Sequence, residues 1–212
     1  MHIEFLVEDS SGAALLELLV PKIIGSPADP HTWNTHAYKG IGRTPKNLRP
    51  ATEAHKRILL DRLPLILRGY AKSPGIDAVV VDSDRKNCQE FLSELRSVAE
   101  ASGLPETMFR IAIEEIEAWY LGDRPAIQAA YNRAKLATLS NYSQDSVCGT
   151  WERLADVVYP GGVKAVNRVG WPLPGTLKHE WAERIGAHMN VDQNDSPSFR
   201  KFVRGLRILV NL

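Results

Sequence analysis

The chain has 212 residues, 44 % of them apolar and 24 % charged, with a formal net charge of +1. That length can bury a sizeable core in one domain or in one domain with an extension, and the near-neutral balance excludes a global electrostatic attraction to nucleic acid or to a membrane surface. The two cysteines, Cys88 and Cys148, stand far apart in the chain, which argues against a disulfide framework and against a structural zinc site.

In chain order, HIEFLV (2–7) reads as a buried strand. The acids Glu4, Glu8 and Asp9 and the lack of a basic segment argue against a signal peptide. No apolar run reaches the ~18 residues of a membrane span, so a cytoplasmic chain with no membrane association is expected. Ser10 and Ser11 can cap a following helix whose Leu15, Leu18, Leu19 and Ile23 share one face. A turn-rich stretch (25–32) leads to a short strand, TWNTHAY (32–38), and to the glycine turn KGIGR (39–43). Residues 52–71 read as helical, with Pro64 marking a break or a fresh start.

IDAVVV (76–81) is the clearest strand, short, β-branched and bounded by Gly75 and Asp82. An amphipathic helix (87–102), a strand (107–113) and a helix entered directly from it (114–123) follow. Strand alternating with helix implies a mainly parallel α/β sheet with helices on both faces. Beyond about residue 135 only helical stretches remain, among them one begun by Ser196 and Pro197 with Phe199, Phe202, Val203 and Leu206 on one face. The expected organisation is an α/β domain over 1–135 and a helical subdomain over 136–212 packed on it. Trp119, Trp151, Trp171 and Trp181 are expected to pack where the two parts meet.

Ligands of a parallel sheet collect beyond the carboxyl ends of its strands, and acids fall at three such ends. Glu8 follows the first strand, Asp82 and Asp84 the third, and Glu114, Glu115 and Glu117 the fourth. Residues two apart in an extended chain point the same way, so Asp82 and Asp84 can offer oxygens to one ion. Carboxylate oxygens suit Mg²⁺, and a cation relieves the repulsion among clustered acids. Taken singly, each acid is more simply a helix cap or a solvated turn.

LVEDSSG before a helix, with VVVDSD after a later strand, resembles the Toprim pattern of a first-strand glutamate and a downstream Asp-x-Asp. YKGIGR, VVVDSD, IAIEEIEAWYLGD, CGTWERLAD and SPSF together resemble a Toprim-like family of domain-of-unknown-function proteins, often encoded beside an ABC- or AAA-type ATPase and related to the overcoming-lysogenization-defect nucleases. The resemblance implies a Toprim-like, Rossmann-like fold with Glu8 as general acid/base or metal ligand. It further implies Asp82 and Asp84 as ligands of Mg²⁺ or Mn²⁺, and Glu115 and Glu117 as the rest of the acidic cluster. It implies an ATPase partner and nuclease-like cleavage of a phosphodiester, in prokaryotic defence or DNA maintenance. Gly12 stands where many nuclease-type members carry a second acid, which leaves the number of ions open. A non-catalytic module that binds and regulates an ATPase is the alternative.

A substrate phosphate needs cations. Residues 41–72 hold eight cations against two acids, a local charge of +6 before histidines, and the glycine turn can aim N–H groups at an anion. Lys39, Arg43, Lys46 and Arg85 are the candidate contacts to phosphate or nucleic acid. Arg200, Lys201, Arg204 and Arg207 make a second cationic surface on the last helix, for which an ordinary solvated face is the simpler expectation.

Overall fold

The computed structural model describes residues 1–40, 59–73, 76–82, 88–112, 115–146 and 149–212, with the backbone alone described for 76–82 and Cys88. Strands β1 (His2–Val7), β2 (Thr32–Ala37), β3 (Ile76–Asp82) and β4 (Met108–Ala112) alternate with helices α1 (Ser10–Ile24), α2 (Leu59–Tyr70) and α3 (Cys88–Ala101). The strands form one parallel sheet in the order β2-β1-β3-β4. The chain is therefore an α/β protein with a small parallel sheet. From β1 to β2 the chain steps one way and from β3 to β4 the other, so the reversal falls between β1 and β3, where parallel sheets open a crevice.

Side-chain alternation along β1 sends Ile3, Phe5 and Val7 to one face and Leu6 to the other. The first face is buried under α1 together with helices from the C-terminal half. The second is closed by Leu59, Leu60, Leu63 and Leu67 of α2 and by Phe91, Leu95 and Val98 of α3. Both faces being covered explains why β1 reads as an apolar run rather than as a strict alternation.

After β4 come α4 (Glu117–Leu121), α5 (Arg124–Ala130), a 3-10 turn (Leu136–Leu139), α6 (Thr150–Val158), α7 (Gly162–Val169), α8 (Leu173–His188) and α9 (Pro197–Leu209). Helix α8 lies along α1, and α9 packs on α1 and β4. Trp181, Ile185, Phe199 and Phe202 thus share one core with Phe5 and Leu15. Lys22 Nζ fastens α8 to α1 by donating to the carbonyls of Gly186 (2.9 Å), Ala187 (2.8 Å) and Met189 (3.1 Å). A lysine there satisfies orphan carbonyls at a helix end and complements its dipole. At the start of α9, Ser196 Oγ accepts from Phe199 N at 3.2 Å with Pro197 behind it, as the sequence predicts.

Four local expectations need correction. The cap of α1 is Asp9, whose Oδ1 accepts from Gly12 N at 2.8 Å and from Ser11 Oγ at 2.8 Å; a fixed charge at the positive helix end outcompetes the serine hydroxyls. Helix α2 continues through Pro64 rather than breaking, with Leu63, Pro64 and Leu67 all buried, so packing outweighs the missing N–H. Residues 162–169, expected as connection, form α7, which begins after Gly161 in the left-handed region (φ 83°). Trp171 is 82 % exposed, whereas Trp119 and Trp181 are buried at the junction. The Trp119 ring stacks on Phe202 (5.0 Å) and meets Phe199 edge-on (5.3 Å), and its Nε1 donates to Ser198 Oγ at 3.0 Å. No helix among the described residues is long and apolar enough to cross a membrane.

Candidate functional site

The carboxyl edge of the sheet is built by register. Val7 pairs with Val80, and Asp82 pairs with Ala112, so β1, β3 and β4 end side by side. Glu8 follows β1 at the level where β3 passes from Val81 to Asp82. Neighbouring strands lie ~4.8 Å apart, which brings the backbones of Glu8 and Asp82 to adjacent places at the crevice. The condition for convergence of the acids, that their strands be neighbours, is met at the level of the backbone. The Asp82 side chain and all of Asp84, Arg85, Glu114, Arg43 and Lys46 lie outside the described residues.

The glycine turn clips onto the same edge: Tyr38 N donates to Val7 O at 3.0 Å and Gly40 N to Glu8 O at 3.1 Å. Gly40 thus spends on the backbone the N–H that the sequence reading offered to an anion. Lys39, between these two bonds, is exposed.

The acids after β4 divide in role. Glu115 sits in the bend between β4 and α4. Its Oε1 accepts from Lys178 Nζ at 2.6 Å, and its Oε2 from Thr150 Oγ1 and Trp151 N, both at 3.2 Å. It therefore ties the strand end to α6 and α8. Glu117 opens α4 and is only 3 % exposed. Lys178 Nζ approaches its Oε2 to 3.7 Å. Burial pushes the Glu117 carboxyl up to about 7; Lys178 opposes that rise, while Glu115 and Asp9 add to it by repulsion. Asp9 caps α1 beside the end of β1 and is the weakest of the charges acting on Glu117.

Gly12 explains how the elements that carry these acids pack together. A Cβ built there would stand 2.9 Å from Ile116 Cδ1 and 3.6 Å from Val7 Cβ. The first turn of α1 and the β4–α4 bend pack directly on each other, and an acid at position 12 would force Ile116 away.

Asp9 and Lys178 belong to this edge and escape sequence reasoning. Asp9 reads as an ordinary residue ahead of a helix, and Lys178 reaches Glu115 across 63 positions with no motif to announce it. Among the described residues no group of three or more His, Cys, Asp or Glu side chains is placed to hold a metal ion. The side chains of Asp82 and Asp84, the expected ligands, lie outside those residues.

Comparison with known proteins adds no relative. No family model, no curated protein and no solved structure matches the chain.

Proposed function

We propose that the chain is a Toprim-like, Mg²⁺-dependent, nuclease-like protein that processes phosphodiesters at the carboxyl edge of its sheet and acts with an ATPase partner. The observation that carries this reading is Glu117, a buried carboxyl just after β4 with Lys178 at 3.7 Å, on the sheet edge where β1 ends before Glu8 and β3 ends at Asp82. A buried carboxyl perturbed by desolvation and a specific charge partner near the carboxyl edge of a parallel sheet marks a candidate site. An all-oxygen donor set fits Mg²⁺, and Glu8, Asp82 and Asp84 would hold it. The ion, when bound, supplies polarisation of a phosphoryl oxygen. Glu117, whose proton is held up to about pH 7, is suited to pass that proton to a leaving oxygen. Exposed Lys39, beside Glu8 in the edge, would meet the substrate phosphate. The ATPase partner enters through the sequence resemblance.

One observation favours a second reading, a non-catalytic module that binds and regulates an ATPase. Lys178 already gives Glu115 and Glu117 an internal counter-charge, so part of the acidic edge is neutralised within the fold. Incubation with single- and double-stranded DNA and RNA in Mg²⁺ or Mn²⁺ tests the first reading. Cleavage that Asp82→Ala abolishes while the melting temperature stays unchanged supports it. Intact substrates in every case, beside an ATPase rate altered equally by wild type and Asp82→Ala, would replace it with the second.

A further inference from the structure

The cationic surface on the last helix has a built neighbour. A cavity of about 690 Å³ opens between α3, β4 and α9, within the range of small-molecule sites. Among the described residues lining it are three cations, Arg110, Lys201 and Arg204, and one carboxylate, Asp145. That carboxylate is already committed: Asp145 Oδ2 accepts from Ser198 N at 2.6 Å, and Ser196 Oγ donates to its Oδ1 at 3.0 Å. Asp145 thus answers the positive start of α9, and among the described residues the three cations have no carboxylate partner.

Arg110 is the fixed member. Its Nε donates to Lys201 O at 3.1 Å and one terminal N–H to Phe109 O at 2.8 Å. The guanidinium lies flat on α9 at Gly205, where any Cβ would overlap it. A half-buried guanidinium has five N–H donors, of which backbone carbonyls take two. Burial, with Arg96 of α3 adding repulsion, pulls its pKa down. Leu92, Phe109, Ile111 and Ile208 give apolar wall, the last 63 % exposed at the mouth, with the amides of Gln89 and Gln144 among them. A fixed planar donor, two exposed cations and apolar wall match a phosphate ester that carries an apolar planar body.

We propose that this cavity binds an organic phosphate of nucleotide size, its phosphate on Arg110, Lys201 and Arg204 and its body against the apolar walls. The site goes beyond the acidic edge and needs no metal. A free nucleotide and a nucleotide within a strand share this chemistry, and the experiment separates them.

The test is isothermal titration of the full chain at low salt with EDTA present, using AMP, a short oligothymidylate, inorganic phosphate and adenosine as probes. AMP or the oligonucleotide binds with a dissociation constant on the order of 10–100 µM, and phosphate and adenosine each bind at least about tenfold more weakly. A strand preferred at least about tenfold over AMP assigns the site to nucleic acid; equal or weaker strand binding assigns it to free nucleotide. Arg204→Gln combined with Lys201→Gln, both exposed and outside the core, weakens binding about tenfold or more. Ile208→Glu does the same by placing a like charge at the mouth. Arg207→Gln, whose side chain pairs with Asp192 at 2.7 Å instead, leaves binding unchanged and serves as the control. No binding of AMP or the oligonucleotide, binding indifferent to the double variant, or phosphate binding as tightly as AMP would each overturn the proposal. Because metal is excluded throughout, its failure is separate from that of the reading of the acidic edge.

Discussion

Replacing Glu117 by Gln isolates the buried carboxyl on which the candidate site turns. The ordinary value of 4.5 rises to about 7 in the fold, so between those limits the native state binds more protons than the unfolded chain. Stability then falls as pH rises through this window, and the loss is complete above it. At 1.36 kcal/mol per pH unit, the full effect is about 3 kcal/mol. Glutamine keeps the shape and has no proton to lose, while Lys178 retains its 2.6 Å bond to Glu115. The free energy of unfolding of E117Q relative to wild type is therefore expected to improve by about 3 kcal/mol between pH 5 and pH 8. For a chain of this size each kcal/mol moves Tm by ~2–4 °C, so the Tm difference should shift by about 6–12 °C. Calorimetry of both proteins at pH 5, 6, 7 and 8 in EDTA measures it. Parallel profiles, with the difference moving by less than about 2 °C, would mean that Glu117 ionises freely, and the argument for a perturbed acid would fall.

Gly12→Ala tests the close approach of α1 to the β4–α4 bend. A methyl 2.9 Å from Ile116 Cδ1 asks only the tip of that side chain to move, and alanine gains ~1 kcal/mol over glycine in a helix. The stability read from the denaturant midpoint is therefore expected to stay within ~1 kcal/mol of wild type; a loss of ~2 kcal/mol or more would show that Ile116 is held rigidly. Trp119→Ala should cost ~3–5 kcal/mol through the cavity it leaves, while Trp171→Ala, at an 82 % exposed site, should stay within ~0.5 kcal/mol. Equal effects of the two tryptophans in chemical denaturation would contradict the assignment of the core.

Local chemistry made most of the frame legible. β-Branched IDAVVV, the apolar first strand and the spacing of strands and helices announce a parallel sheet, and Ser196-Pro197 announces the start of α9. Other features depend on what tertiary packing selects. Asp9 rather than Ser10 or Ser11 caps α1 because a full charge outcompetes a hydroxyl, and both types were within reach in sequence. Trp171 and Trp181 look alike as residues, yet only α8 decides that Trp181 turns inward. At the site, the neighbourhood of Glu8 and Asp82 follows from strand order, which alternation of strand and helix leaves open. Lys178 is invisible in sequence because it sits on α8 while its partners, Glu115 and Glu117, lie some sixty residues earlier in the β4–α4 bend and in α4. The cations of α9 read as a solvated helix face until β4 sets Arg110 beside them and a cavity in front.

A crystal structure of the chain grown with Mn²⁺, with the ion located by its anomalous scattering, tests the central claim most directly. The account predicts an ion at the carboxyl edge between β1 and β3, with oxygens of Glu8 and Asp82 at ~2.1–2.2 Å. An edge without an ion, or a Glu8 carboxylate turned away from Asp82 by more than ~10 Å, would contradict it and return these acids to capping and turn roles.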